Sequence, residues 1–380
     1  MSDSLNPSIK LAELLIIKRD FDLLVKLTRS LCAEVKTNIM PYCSLFCCEA
    51  ITYFNKTIRK VDISQTSKYS VKDMRQKAKF FDYKTTKKFF QSIESTDKLQ
   101  NDFFIDQMTF SQLGILNIHD NLGVFFNDDK KIVGNSHFAY YLFQDDKMIS
   151  KPKDLAKGSD LIEEDIRSFG YDIGKILGAV SSSFSILNDI IKSNVSADII
   201  TVHSNDLNTN KCALLGVGDT KIIHLFLLHV LTSVGFVLYI LKRLVVEDTG
   251  LLLRIEYITY HYTIMRLNQT LEYCQNHSHL STNIKLIDML NSIDYMNTNR
   301  LRDKDFRSCM VHFGLTNKNM VPILKDNKIN FSVPFCGLVE SVFDMTYSDY
   351  KEKIETELTK IYDAINNYLN FESLLVDTAN

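Results

Sequence analysis

Tryptophan and proline are the residue types that this chain has least of. Its 380 residues contain no tryptophan and five prolines, at positions 7, 41, 152, 322 and 334. Because proline disrupts helix interiors, the long intervals between these positions permit long helices. Apolar residues recur at three- and four-residue intervals, for example in residues 8–38, which is the period of an amphipathic helix. These features predict a mainly α-helical protein.

The chain also lacks an excess of either charge. Its 44 lysines and arginines are balanced by 46 aspartates and glutamates, which gives a net charge of −2 with neutral histidines. This balance excludes a protein that is basic over its whole surface, so any contact with nucleic acid has to be local. A chain of this length suggests two domains.

The eight cysteines do not form a metal-binding pattern, because none of them belongs to a CxxC pair. No second group of cysteines or histidines accompanies Cys43, Cys47 and Cys48 at a suitable spacing. We therefore expect reduced, buried thiols, no metal site and no cofactor. The first residues lack a basic region followed by an apolar run, so we expect no secretory signal and a cytoplasmic protein.

A charged stretch around Pro152 is the best candidate for a linker. It separates an N-terminal, largely helical domain (1–150), which could bind RNA or a partner, from a C-terminal helical bundle (155–375). Within the first part, Pro41 is expected to open a helix, and turn residues in 110–150 predict a small hairpin. Helices of the second part are predicted near 161–193, 221–244, 249–276, 283–292, 302–313 and 347–370.

Two features of the second part have more than one interpretation. Residues 222–241 contain no formal charge, which suits a membrane span, a buried central helix or a dimer interface. We favour a central helix or a dimer interface over a membrane span, and we expect no membrane partner. Gly170, Gly174 and Gly178 repeat every four residues, which suits either a helix face that another helix approaches closely or a phosphate-binding loop, and we favour the helix face.

A locally basic segment, residues 56–90, is a candidate RNA-binding region. Aromatic residues are interleaved with its cations, and single-stranded RNA is bound by this combination. Alternatively, the aromatic side chains belong to the core and the lysines are solvated. The candidate RNA-binding residues are Lys77, Lys79, Lys84, Lys87 and Lys88.

The segment 306–314, with the sequence Phe-Arg-Ser-Cys-Met-Val-His-Phe-Gly, is the strongest candidate for a functional site. In a helix, Arg307 and His312 would be separated by about 500° of rotation, which places them about one and a half turns apart. Arginine binds phosphate through a planar, permanently charged group, and histidine titrates near neutrality. The pair therefore suits general acid–base cleavage of a phosphodiester. Alternatively, Arg307 pairs with a surface carboxylate such as Asp303 or Asp305, and His312 caps or packs against the helix.

This Arg-x4-His arrangement in a late helix resembles the HEPN superfamily of helical nucleotide-binding domains. Many members are metal-independent endoribonucleases of toxin–antitoxin, abortive-infection and antiviral defence systems. The family arginine is usually followed by Asn or Asp, and here Ser308 occupies this supporting position. In one antitoxin-paired subclass a tyrosine follows the histidine by two positions, where this chain has Gly314.

The resemblance implies an endoribonuclease that cleaves RNA by attack of the 2′-hydroxyl. His312 would act as general base or acid, and Arg307 would bind the scissile phosphate. It also implies a homodimer with a shared cleft, and an antitoxin or regulatory protein as a partner. The alternative is a non-catalytic helical module that binds a nucleotide, RNA or a protein.

Overall fold

The computed structural model describes most of the chain. It covers residues 7–57, 71–78, 85–109, 120–143, 158–182, 195–196, 200–246, 250–293, 295–313, 335–371 and 373. Helices dominate these residues, so the prediction of a mainly α protein is confirmed.

The described residues of the first half form six helices and two strands. In chain order they are α1 (Pro7–Ser30), α2 (Ala33–Thr57), α3 (Val71–Lys77), α4 (Thr86–Thr109), β1 (Leu122–Asn127), β2 (Ile132–Asn135), α5 (Ser136–Phe143) and α6 (Gly158–Ser182).

The second half contains one strand and eight helices within the described ranges. They are β3 (Val202–Leu207), α7 (Asp219–Leu244), α8 (Leu251–Gln275), α9 (Ser278–Ser281), α10 (Ile284–Ser292), α11 (Tyr295–Arg300), α12 (Lys304–Val311), α13 (Cys336–Phe343) and α14 (Tyr347–Leu369). The helices predicted near 221–244, 249–276, 283–292 and 347–370 agree with α7, α8, α10 and α14 to within two residues at each end.

The three strands form one antiparallel sheet in the order β2-β1-β3. The predicted hairpin is confirmed: Val124 faces Asn135, and Lys130 takes a positive φ of 59° in the connecting loop. Strand β3 is not predicted by the sequence, because its polar residues lack an alternating apolar pattern. It pairs with β1 from Leu207 opposite Leu122 to Val202 opposite Asn127, and most of its residues remain accessible to solvent.

Helix α7 lies at the centre of the molecule. Among the described residues it is the one helix long and apolar enough to cross a membrane, but 89% of its most apolar window is buried inside the protein. Strand β2 crosses it at Gly235, where a Cβ atom would lie 1.9 Å from the carbonyl oxygen of Ile132. A larger side chain would therefore displace the sheet. The segment 222–241 is a core helix of this fold.

The hydrophobic core runs through both predicted parts of the chain. Phe21 and Phe46 from the first part belong to the same buried cluster as Leu231 and Tyr257 from the second. Helices α1 and α2 also pack against α6. The core of the described residues is thus continuous across the boundary that the sequence placed near residue 150.

Several predicted details of the helices are wrong. The helix expected over 8–38 is interrupted after Ser30, and Pro41 lies inside α2 instead of at its start. Packing of α2 against α1, α6 and β2 supports the helix despite the backbone hydrogen bond that proline cannot donate. Gly174 and Gly178 are exposed, and a Cβ atom at either position would meet nothing within 4 Å. Among the described residues, neither glycine lies at a close contact with another helix.

Candidate functional site

Helix α12 carries Arg307 but ends before His312. The helix begins at the N-cap Asp303, whose carboxylate accepts a hydrogen bond of 2.7 Å from the backbone N–H of Phe306. His312 follows the last helical residue and has an extended backbone with φ −102° and ψ 156°. The predicted helix 302–313 is therefore too long, and Arg307 and His312 do not lie on one continuous helix face.

The buried side chain of Arg254 determines where α12 ends. Its Nε donates a hydrogen bond of 2.8 Å to the carbonyl oxygen of Met310, and its Nη1 pairs with Asp20. The guanidinium also lies over the rings of Phe46 and Phe313, at 4.4 and 4.5 Å from their centroids. A cation at the final carbonyls stabilises a helix end, and here it also fixes the chain on both sides of His312.

The imidazole of His312 is attached to a carboxylate on helix α2. Its Nδ1 lies 2.6 Å from Oε2 of Glu49, and the second oxygen of Glu49 accepts a hydrogen bond of 3.1 Å from Nη1 of Arg75. The side chain of Glu49 is 6% exposed, whereas that of His312 is 51% exposed. The described residues supply no partner for Nε2 of His312. One ring nitrogen is thus held inside the protein, and the other is accessible to a ligand.

Arg307 faces a different set of neighbours. It is partly buried, and its charge acts on Tyr257 and His261 of α8 and on Arg302. Burial, followed by the charges of Arg302 and Arg307, lowers the pKa of His261 to about 3. Among the described contacts, none joins the side chains of Arg307 and His312. Within the described residues, the charge of Arg307 thus acts on side chains of α8, whereas the ring of His312 is bound to α2.

The alternative interpretation of this segment is also only partly correct. Asp303 is engaged as the N-cap of α12, and no described ion pair joins Arg307 to Asp303 or Asp305. His312 occupies the C-cap position, as that interpretation expected, but its ring binds Glu49. Ser308 accepts the backbone N–H of His312 through its carbonyl oxygen at 2.9 Å, a contact that does not depend on the serine side chain.

The basic segment is described only in part. Lys79 and Lys84 lie outside the described residues. Lys77 donates a hydrogen bond of 3.2 Å to the carbonyl oxygen of Tyr141 and lies over its ring. Lys87 and Lys88 are exposed at the start of α4.

The aromatic residues that follow these lysines are not available for stacking on bases. Phe89 and Phe90 are buried and pack against Phe226, with ring centroids 5.2 and 6.1 Å apart. In this part of the segment the rings belong to the core and the lysines are solvated.

Two other histidine arrangements differ from the His312 site in burial. His137 and His229 are fully buried, with 2.8 Å between Nδ1 and Nε2, and burial lowers the pKa of both. At the surface, Nε2 of His279 lies 2.6 Å from Oδ2 of Asp219, and both side chains are more than half exposed. Within the described residues, no group of three His, Cys, Asp or Glu side chains is placed to hold a metal ion.

Glu49 and Arg75 were not recognised from the sequence as part of a site. Glu49 is separated from His312 by 263 positions, so no local spacing connects them. The available signal was weaker: Glu49 is a lone charge within the apolar segment 43–54 of α2. A lone carboxylate on an apolar helix requires a polar partner from elsewhere in the fold.

No protein-family model, curated protein or solved structure matches the chain.

Proposed function

We propose that the surface around His312 and Arg307 binds and cleaves RNA without a metal ion. The observation that carries this proposal is a half-exposed imidazole whose inner nitrogen is bound to a buried carboxylate. Such an arrangement leaves the outer nitrogen to exchange a proton with a substrate. The same geometry is typical of carboxylate–imidazole pairs in general acid–base catalysis.

The proposed reaction uses the RNA as its own nucleophile. Nε2 of His312 removes the proton of a 2′-hydroxyl, and the 2′ oxygen attacks the adjacent phosphorus. The bond from phosphorus to the 5′ oxygen breaks, and this oxygen takes a proton from solvent. The products are a 2′,3′-cyclic phosphate and a 5′-hydroxyl. Arg307 contributes its positive charge to binding the phosphate.

The local charge near the site is favourable for a polyanion, although the whole chain is not basic. Four cations occur within eight residues at 300–307, namely Arg300, Arg302, Lys304 and Arg307. Of the two carboxylates in the same stretch, that of Asp303 is engaged as the N-cap of α12. Phosphate groups are attracted by such local positive charge even when the net charge of the protein is near zero.

A homodimer is part of the proposal. The resemblance to the HEPN superfamily implies that two copies face each other across a cleft and that each supplies one Arg–His pair. Size-exclusion chromatography with light scattering should then give twice the monomer mass of 43.8 kDa at micromolar protein concentration. A monomer that cleaves RNA would remove the dimer from the proposal and leave the chemistry in place.

The test of the proposed reaction is cleavage of single-stranded and transfer RNA by the purified protein in the presence of EDTA. His312→Ala and Arg307→Ala should each reduce the rate at least about 10²-fold, because each removes one of the proposed groups. His279→Ala is a matched control, since His279 also pairs with a carboxylate but belongs to helix α9. Its cleavage rate should equal that of the wild type.

A second candidate function is RNA binding without cleavage. It is favoured by one observation: no described contact joins the side chains of Arg307 and His312, and the ring of His312 is bound to Glu49 of α2. In this case the wild type binds RNA in a filter assay, Arg307→Ala weakens binding, and no product forms at any pH. Cleavage that survives in both alanine variants would exclude the two residues from catalysis.

A further inference from the structure

Glu49 has an unusual position for a carboxylate. It lies in the apolar part of α2 and is 6% exposed, and its two oxygens have different partners. Oε1 accepts a hydrogen bond from Arg75 of α3, and Oε2 faces Nδ1 of His312. The charge of Arg254, from α8, also acts on Glu49. A buried carboxylate between two cations and one imidazole is held in place more firmly than a solvated one.

Burial distinguishes this pair from the other histidine–carboxylate pairs of the described surface. The pairs His279–Asp219 and His203–Asp128 have both side chains at least half exposed. Water competes for every hydrogen bond in those two pairs, and their geometry is weakly fixed. At His312 the carboxylate is inside the protein and the imidazole is at its surface, so water has access to only one side of the ring.

We infer that Glu49 is a positioning residue that holds neutral His312 in the tautomer with hydrogen on Nδ1. A carboxylate can only accept, so the nitrogen that faces it has to carry the proton. The lone pair of the neutral ring is then on Nε2, which points away from Glu49. This inference deepens the proposed function and rests on it for its catalytic meaning, although the tautomer itself can be measured without any RNA.

The tautomer decides whether the exposed nitrogen can act as a base. In the opposite tautomer, Nε2 carries hydrogen and has no lone pair to accept the proton of a 2′-hydroxyl. A carboxylate behind the ring is a common way to select the useful tautomer in catalytic and metal-binding histidines. Arg75 contributes by engaging the second oxygen of Glu49, which keeps the carboxylate aligned with the ring.

The substitution Glu49→Gln gives the sharpest test, because Arg75 determines which way the amide turns. Arg75 can only donate, so it should bind the amide oxygen, and the NH₂ group then faces His312. Nδ1 must now accept a hydrogen bond, and hydrogen moves to Nε2. Long-range ¹⁵N–¹H spectra of the histidine rings should therefore show hydrogen on Nδ1 in the wild type and on Nε2 in Glu49→Gln.

The double variant Glu49→Gln with Arg75→Met should reverse this effect. Without Arg75 the amide is free to turn its oxygen towards His312, and hydrogen should return to Nδ1. This reversal would not occur if Glu49→Gln merely disturbed the fold. Asp219→Asn is the matched control at the exposed His279 pair, and it should leave the His312 signals unchanged.

The rate of RNA cleavage tests whether the tautomer of His312 matters for the proposed function. Glu49→Gln should reduce kcat for RNA cleavage about 10²- to 10⁴-fold with little change in KM, and the double variant should recover part of this loss. A tautomer that switches as predicted in a protein without cleavage would support the positioning role and refute the proposed reaction. A neutral ring with hydrogen on Nε2 and none on Nδ1 in the wild-type protein would overturn the inference itself.

Discussion

Two pairs of side chains, Arg254–Asp20 and His312–Glu49, lie near the end of helix α12, and they differ in their access to water. In the first, Arg254 and Asp20 are both fully buried, and Arg254 also binds the carbonyl oxygen of Met310. In the second, Glu49 is buried but His312 is half exposed. The first pair has nothing left to offer a ligand and serves the fold. The second retains one accessible nitrogen, which is the property that a catalytic group requires.

The largest expected effect comes from breaking the inner pair. Arg254→Met should lower the free energy of unfolding by about 3–5 kcal/mol, because it leaves Asp20 buried without its cation. Urea denaturation followed by circular dichroism measures this change. Lys242→Met is the control, since Lys242 pairs with Glu355 but is half exposed, and its removal should cost at most about 1 kcal/mol.

A double variant shows whether the inner pair acts through charge. Arg254→Met combined with Asp20→Leu removes both buried charges and should recover part of the lost stability. If Arg254→Met alone were as stable as Lys242→Met, the buried pair Arg254–Asp20 would contribute no more to stability than the exposed pair Lys242–Glu355.

The end of α12 also shows what the sequence could and could not predict. Periodicity predicted α7, α8, α10 and α14 well, because each carries its own apolar pattern. It extended α12 to residue 313, because the signal that ends this helix is Arg254, which contacts Met310 from 56 positions earlier in the chain. The partner of His312 was missed for the same reason. The end of α12 and the partner of His312 both depend on contacts between distant segments, and the spacing of residues along the sequence does not reveal such contacts.

The sheet gives a second example of this limit. The turn residues between β1 and β2 are adjacent in sequence, and they predicted the hairpin correctly. Strand β3 adds to the sheet through pairing with β1, and its own residues are polar, as in Ser204 and Asn205. A strand at the edge of a sheet can be stabilised by its neighbour without an apolar pattern of its own.

We expect acid to lower the free energy of unfolding by an intermediate amount, because the buried imidazoles cannot take up protons in the folded protein. Burial lowers the pKa of His137 to about 3 and that of His229 well below its ordinary value near 6.5. As the pH falls from 6.5 towards 3, these two histidines bind protons in the unfolded chain but remain neutral in the folded protein. Stability is therefore complete above pH 6.5 and decreases as the pH falls towards 3, by up to about 1.4 kcal/mol per pH unit for each such histidine.

The substitution His137→Gln should make this pH dependence less steep, since it removes one buried imidazole. Chemical denaturation at pH 7.5, 6.5, 5.5 and 4.5 provides the slopes. His279→Gln should leave the slope unchanged, because His279 is more than half exposed in the folded protein. Equal slopes for the wild type and His137→Gln would show that the buried pair takes up protons without unfolding.

The smallest effect on stability should come from the residue with the largest proposed effect on function. His312→Ala removes a half-exposed ring and one hydrogen bond at the surface, so the free energy of unfolding should fall by no more than about 1 kcal/mol. Arg75 and Arg254 still balance the charge of Glu49 in this variant. The same urea titration that reveals the Arg254→Met defect measures this difference. A loss of 3 kcal/mol or more would assign His312 to the framework that Arg254 supports, and reduced RNA cleavage by His312→Ala would then reflect a damaged fold instead of a missing base.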